Sequence, residues 1–401
     1  MNDETAAPAA KRRRKMPAAK RRKTTKEKVP DMPYELLSDI LLRLPIKSLM
    51  RLKCLCKAWR NIISEDSSFL HAHLSIQRWQ RPPVLIAPQG KGPNRERLYD
   101  TVSLNKVTTI GLYRTGPDCD GLVLVPTDDT VRLINPATQR VLPLPSSPRS
   151  ACPRKLPCRL ASHQVFGLGL DPRSNKYKVA RFFYASIREY GAVYRYTIRM
   201  EVFTIGRLGW HETATQPPYP VIVRRTAAFV KGSLFWTVDE RILGHAAPGY
   251  LRLRLDNEVF SIMPPPLCCP SINYLTSNLS ELHEELCVAR TGRGNDTLEI
   301  WMCGDIDGAD PPQWDHRYTL MVSSNFPRSI RPIIAFPNGV LVLHVSPKFL
   351  CRYKLQSPEP YAVDETNMLG LMYQDTEELG YLTEAIIDFD VIPYISTIVP
   401  I

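Results

Sequence analysis

Residues 80–395 never sustain a helical period. Short apolar or alternating runs recur there instead: RPPVLIAP, GLVLVP, TVRLINP, QVFGLGLDP, KYKVARFFYA, RYTIRMEVFTIG, AAFVKGSLFWTVDE, YLRLRLD, ELCVART, DTLEIWMCGD, GVLVLHV and FLCRYKLQ. Each has the length of a strand and is bounded by Gly, Pro, Asn or Asp, residues that favour turns and weaken helices. The region is therefore expected to be all-β. Thirty-six prolines, some clustered as in Pro143-Leu144-Pro145 and Pro264-Pro265-Pro266, fit a loop-rich sheet protein better than a helical one.

A loose repeat runs through this region. FTIGRLGW, LRLDNEVF, WMCGDIDG and YKLQSPEP start about 50 residues apart, a spacing in the range of propeller blades. LINPATQRV precedes them across a longer gap that holds the insert SSPRSACPRKLPCR. Each reads as the turn that ends the outermost strand of one unit. At four strands per unit, the length predicts a propeller of about six blades. A pair of β-sandwiches is the alternative.

Residues 31–76 have a different texture. In DMPYELLSDILLRLP, Asp31 can cap a helix and Pro33 suits its first turn. Leu36, Leu37, Ile40, Leu41 and Leu44 recur at spacings of three and four, which makes one broad apolar face, and Pro45 stops the helix. A second helix is expected from near Ser48, with Leu49, Leu52, Leu55, Cys56 and Trp59 on one side. A short third helical segment contains Ile62, Ile63, Phe69 and Leu74. So small a module cannot hide this much leucine alone. Its apolar face must be shared with the rest of the chain or with another protein.

The net charge of +12 is concentrated at one end. Residues 1–30 hold eleven Lys/Arg against three Asp/Glu, a net of eight, which leaves four for the other 371 residues. The segment has almost no large apolar residue and is expected to be a disordered tail. Its clusters Lys11, Arg12, Arg13, Arg14, Lys15 and Lys20, Arg21, Arg22, Lys23 have the form of nuclear-import signals. They predict an import receptor as partner and the nucleus as location, with the cytoplasm as a second site. Nucleic-acid binding is expected of this tail at most, weak and sensitive to salt. No secretory signal or membrane span is expected, and the most apolar late stretch, IIAFPNGVLVLHV, is interrupted at Pro337, Asn338 and Gly339. The ten scattered cysteines are expected to be free thiols.

Catalytic constellations are absent from the pattern. Gly167-Leu-Gly169 lacks the third glycine of a dinucleotide loop. DIDGAD, Asp305 to Asp310, has the wrong spacing for a calcium loop and reads as a polar turn. Cys54 and Cys56 lack the second ligand pair that zinc sites show. No metal and no cofactor are expected. Binding on a β-rich body of this kind falls to its loops, and the candidates are Arg149 to Arg159, Ile187 to Tyr194 and Arg290 to Asn295. The second is the richest in residues that dominate interfaces, with Arg188, Tyr190, Tyr194 and Arg195.

Two resemblances sharpen this reading. Met32-Pro33, Glu35-Leu36-Leu37, Ile40-Leu41, Arg43-Leu44-Pro45, Lys47-Ser48-Leu49, Cys56-Lys57, Trp59-Arg60, Ile63-Ser64 and Phe69 resemble an F-box in order and spacing. The resemblance implies a three-helix module that binds the Skp-type adaptor of an SCF ubiquitin ligase and, through it, cullin. Carried over by position, Pro33, Leu36, Leu37, Ile40, Leu44, Pro45, Leu49, Leu55, Cys56 and Trp59 are the candidates for that contact. Some of them must instead hold the helices together, and the sequence does not separate the two roles. Residues 80–395 resemble the F-box-associated β-propeller found mainly in plant F-box proteins, through GLVLVP with INPATQRVLPLP, FGLGLDPRSNKYKVARF, EVFTIGRLGWHET, FVKGSLFWTV, LDNEVFSIMPPP, ELCVAR with LEIWMCGD, and DVIPYISTIVP. That resemblance implies a non-catalytic receptor that recruits an unknown target protein for ubiquitination. The competing expectation is a nuclear, nucleic-acid-associated regulator that works through its basic tail.

Overall fold

The structure, a computed structural model, describes residues 33–79, 84–90, 97–100, 106–109, 118–126, 131–147, 164–190, 193–222, 225–267, 277–292, 296–308, 311–322, 330–345, 349–355, 362–367 and 386–401. The basic clusters of the N-terminal tail and the segment Arg149 to Arg159 lie outside these residues.

The N-terminal module has four helices where three were expected: α1 (Tyr34–Leu42), α2 (Ile46–Leu52), α3 (Lys57–Glu65) and α4 (Ser67–Trp79). Asp66 makes the difference. Its backbone is extended, which ends α3, and its carboxylate accepts hydrogen bonds from the N–H groups of Ser68 and Phe69, which opens α4. The Tyr34 hydroxyl also donates to this carboxylate, tying the start of α1 to the α3–α4 corner and holding Asp66 below the usual carboxylate range. Pro45 both ends α1 and starts α2, two residues before the expected start. Its carbonyl accepts from Ser48 and Leu49, and its own lack of an N–H costs nothing at that position.

The rest of the described chain folds into six four-stranded antiparallel sheets. β1 (Val84–Gly90), β2 (Arg97–Asp100) and β3 (Lys106–Thr109) begin one of them. The next five follow in order along the chain. They are β4 (Asp118–Cys119), β5 (Leu122–Pro126), β6 (Val131–Asn135) and β7 (Arg140–Pro143); β8 (Gln164–Asp171), β9 (Lys176–Tyr190), β10 (Val193–Thr204) and β11 (His211–Glu212); and β12 (Ala228–Val230), β13 (Ser233–Trp236), β14 (Tyr250–Arg254) and β15 (Phe260–Met263), with the short α5 (Glu240–Leu243) before β14. β16 (Ser277–Leu282), β17 (Glu285–Thr291), β18 (Thr297–Cys303) and β19 (Asp315–Met321) precede β20 (Ile330–Phe336), β21 (Val340–Val345), β22 (Phe349–Lys354) and β23 (Ala362–Asn367). The last strand, β24 (Ile386–Pro393), pairs with β1 and so completes the first sheet from the far end of the chain.

The first strands of successive sheets contact one another around the ring, β4 with β8, β8 with β12, β12 with β16, β16 with β20 and β20 with β24. This is a β-propeller with each blade's first strand innermost. The recurring turns seen in the sequence fall between the third and fourth strands of their blades, after β6, β10, β14, β18 and β22, and not after the outermost strand as expected. Two outermost strands, β7 and β15, end instead at proline clusters. There a residue without an N–H leaves no ladder donor unmade, and the free carbonyls are used: Trp210 Nε1 donates to the Pro145 carbonyl at 2.7 Å and Trp314 Nε1 to the Pro264 carbonyl at 3.0 Å.

Apolar packing within and between blades is reinforced by buried charge. Arg181 on β9 pairs with Glu201 on β10 at 3.3 Å, and Glu201 also accepts from Ser147. Lys178 reaches Asp171, Glu258 and the Leu255 carbonyl, joining the second blade of consecutive strands to the third. Arg252 bonds the Ile306 carbonyl and Asp307 of the next blade. The acidic turn at Asp305–Asp307 is thus a structural clasp. Gly167 and Gly169 have a packing role: a Cβ at Gly167 would stand 2.7 Å from Leu234, and one at Gly169 would stand 2.4 Å from Phe229. They let an inner strand approach its neighbouring blade closely.

The F-box module and its junction with the propeller

The helices and the end of the chain share one core. Leu41, Ile46, Leu49, Ile62, Ile63 and Phe69 pack together with Ile398, and Ala137 from the β6–β7 turn lies against the same cluster. The C-terminal segment is held on the propeller by Asn135, fully buried, whose side-chain amide donates to the carbonyls of Thr397 at 3.1 Å and Val399 at 2.9 Å. Val399 and Ile401 pack into the core between the first two blades of consecutive strands. Ile398 therefore belongs to the module, while its neighbour Val399 belongs to the propeller. The close passage of this segment over the β4–β5 turn explains Gly121, which has φ +77° and would set a Cβ 1.9 Å from the Ile395 carbonyl oxygen.

The broad apolar face of α1 is divided by this packing. Leu41 is buried and Leu37 and Leu44 are half-buried against the shared core. Leu36 and Ile40, one turn apart, remain 56% and 48% exposed, and Tyr34 on the same helix is 48% exposed. Leu55, in the turn after α2, is 69% exposed. Pro33, Pro45 and Cys56 are exposed as well. Of the ten adaptor-contact candidates, these six face solvent. Trp59 is half-buried and packs on the core. Leu49, at 0% exposure, is a core residue, which corrects its place among the contact candidates: α2 turns that side chain toward Ile63 and Ile398 and away from any partner. Tyr34, not among the sequence candidates, is exposed beside Leu36 and Ile40 at the start of the same helix. Cys56 has a local job, its Sγ accepting from the Trp59 N–H at 3.5 Å as cap of α3. Cys54 and Cys56 are free thiols, and among the described residues no group of His, Cys, Asp or Glu is arranged to hold a metal ion. Nor is any described helix long and apolar enough to cross a membrane.

The module sits on one particular face of the ring. In antiparallel blades whose first strands run the same way, the first–second and third–fourth turns lie on one face. The second–third turns and the blade-to-blade connections lie on the other. The module contacts the first of these faces, through the β6–β7 turn and the segment that follows β24. The strand ends that bound Ile187 to Tyr194 and Arg290 to Asn295 belong to the opposite face. The expectation that Arg188, Tyr190, Tyr194 and Arg195 lie in a loop is corrected: all four are in strand, in the hairpin of β9 and β10. Arg290 is likewise in strand β17, opposite Ser277 and Glu299.

The helices form a module seated on a β-propeller, and part of the module's apolar surface is exposed. The comparisons agree. The F-box-associated β-propeller model matches residues 98–378, and the F-box model matches residues 29–71. The chain belongs to the F-box-associated β-propeller family. Similar Arabidopsis thaliana proteins include an F-box/LRR-repeat protein, 25% identical over 80% of this chain and 76% of its own, and an F-box/kelch-repeat protein, 24% identical over 90% of this chain and 95% of its own. Among solved structures, the propeller domain of Cps50 (Swd1) from Myceliophteria thermophila is similar at a TM-score of 0.37 with 9% identity, covering 67% of this chain and 79% of that one.

Proposed function

We propose that this chain is the substrate-receptor subunit of an SCF-type ubiquitin ligase. The observation that carries the reading is the division of the helical module. One side is closed onto the propeller by Ile398, and the other leaves Tyr34, Leu36, Ile40 and Leu55 in solvent. Full burial of a leucine or isoleucine is worth about 1.5–3 kcal/mol, and covering side chains that are about half exposed recovers roughly half of that each, so the exposed side can contribute binding energy to an adaptor. The propeller would then hold a target protein on the face opposite the module. Its contribution is proximity, which raises the effective concentration of target lysines near the charged enzyme, and no side chain of this chain need act as nucleophile or base.

The basic clusters of residues 11–23 are read as nuclear-import signals that would bring the receptor to nuclear targets, with the import receptor as a further partner. Removal of residues 1–30 should leave adaptor binding intact and shift a fluorescent fusion from nucleus to cytoplasm. Loss of RNA or DNA association with unchanged nuclear location would favour the nucleic-acid reading of the tail instead.

The test of the receptor reading is co-elution with a purified Skp-type adaptor in gel filtration. The full chain should co-elute. A Leu36→Asp, Ile40→Asp variant with unchanged thermal unfolding should not. Failure of the well-folded wild type to co-elute removes the proposal.

A further inference from the structure

The junction between the module and the ring carries positive charge from both sides. Arg140 opens β7 directly opposite Asn135, whose amide holds the segment that brings Ile398 into the module. Three residues before Arg140, Ala137 packs on the module's core. On the helical side, the Lys53 N–H donates at 3.0 Å to the carbonyl of Leu49, a buried member of the same core. Lys53 and Arg140 therefore stand at the margin of one cluster. They also feel each other's field. After burial, Arg140 and then Arg60 hold the Lys53 ammonium below its ordinary range.

Neither side of the junction supplies a carboxylate. Residues 40–64 hold six Lys/Arg and no Asp or Glu, and residues 131–147 hold two Arg and no Asp or Glu. Elsewhere on the ring, partly exposed arginines are matched: Arg199 with Glu212, Arg254 with Asp256 and Arg317 with Glu285. Among the described residues, none of Lys53, Arg60 and Arg140 is in an ion pair. Three like charges gathered from α2, α3 and β7 repel one another, and carboxylates brought by a partner would remove that cost. The kind of partner follows from Leu55, which is 69% exposed in the turn between Lys53 and Lys57. A bare leucine ringed by cations suits a protein surface with an apolar contact and an acidic rim. A phosphate backbone offers leucine nothing. Leu55 is also part of the exposed side of the module, so a protein that covers that side reaches the cations beside it.

We infer that the adaptor covering the exposed side of the module docks an acidic patch on Lys53, Arg60 and Arg140, so that the ring itself contributes to adaptor binding through Arg140. This deepens the receptor reading above and rests on it for the identity of the partner.

The experiment is calorimetric titration of the full chain with a purified Skp-type adaptor, at about 50 mM and about 500 mM salt. At low salt, Arg140→Glu should bind about fivefold to tenfold more weakly than wild type, and the gap should close at high salt as the exposed charges are screened. Arg140→Lys keeps the charge and should stay within about twofold of wild type. Arg207→Glu makes the same change of net charge at an exposed arginine of the next blade that does not act on Lys53, and should bind as wild type does. Thermal unfolding of all three variants should match wild type. Wild-type affinity of Arg140→Glu at low salt would overturn the inference and leave the receptor reading standing. So would a loss that is equal at both salts and shared by Arg140→Lys, which marks a purely structural role. A charge-reversal loss seen with a DNA duplex and not with the adaptor would assign the patch to nucleic acid and overturn the inference too. A wild type that binds no adaptor at either salt removes the receptor reading, and the inference with it.

Discussion

Ile398, three residues from the end of the sequence, packs in the same buried cluster as Leu49 of α2, so the beginning and end of the described chain close one core. The consequence is mechanical as well as energetic. The helical module is fixed to the propeller by a side chain that belongs to neither element's own sequence region; under the receptor role proposed above, a target on the ring would be held at a set distance from the adaptor.

Replacing Ile398 with Ala should cost about 2–4 kcal/mol, the usual loss for a buried isoleucine. The loss should be local. Amide exchange is expected to rise in α1–α4 and to stay unchanged in β12–β19. Uniform loss of protection across all blades would show that the module and ring unfold as one unit.

Leu36 and Leu49 lie on neighbouring helices and should respond in opposite ways. Leu49→Ala should lower stability by about 2–5 kcal/mol. Leu36→Asp should change stability by less than about 0.5 kcal/mol, as surface substitutions do, and should abolish adaptor co-elution. Denaturant titration beside gel filtration reads both effects.

Arg181 and Glu201 form a pair that is almost fully buried. Arg181→Met alone leaves the Glu201 carboxylate buried without its guanidinium, with the Ser147 hydroxyl still donating to it, and should cost about 3–5 kcal/mol. Adding Glu201→Leu should recover most of that loss, because the double variant has no buried charge left to desolvate. A double-mutant cycle in urea checks the sign of the coupling.

His73 on α4 is fully buried, lies 6.3 Å from the Phe69 ring, and among the described residues has no hydrogen-bond partner for either ring nitrogen. Burial holds its pKa below the ordinary value. The unfolded chain therefore takes up a proton before the folded one. The stability this residue allows is fully present above about pH 6.5 and falls as the pH drops below it. His344, also buried, is pushed down to about 3 by burial and by Arg331, and acts in the same direction. Thermal unfolding followed from pH 7 to pH 5 should show a decline that His73→Leu reduces. An unchanged slope in that variant would assign the decline to other groups.

Asp118 on the innermost strand β4 carries the opposite dependence. Burial and then the Glu281 carboxylate raise it to about 7, against the opposing pull of Arg331. A raised carboxylate favours the folded state most at low pH and loses that contribution as the pH rises through its folded value. Asp118→Asn should therefore stabilise the protein most at pH 8, by less at pH 5, and little once the pH falls below the ordinary carboxylate value near 3.8, as measured by the urea midpoint.

The strands were legible because their signals are local. A blade strand needs only a short apolar run and a turn residue at each end, and LINP, FTIG and LRLDN supply them. The helices were legible for the same reason, from the spacing of Leu37, Leu41 and Leu44. The split at Asp66 was not foreseen, because one residue there both ends a helix and caps the next. Arg188 and Arg195 were singled out by residue type, yet they were placed in a loop. A run containing Gly191 reads as a break, and only the pairing of β9 with β10 shows that strand continues to it on both sides.

By itself the sequence determined an F-box-like helical module, an all-β body of blade-sized units and a basic tail, since periodicity, turn chemistry and charge are written residue by residue. Tertiary structure alone decided which leucines of the module are core and which are surface. It also decided that β24 completes the first blade and that Ile398 locks the module to the ring. Those outcomes depend on contacts between residues hundreds of positions apart, as between Asn135 and Val399, and no local pattern encodes which distant partner will arrive.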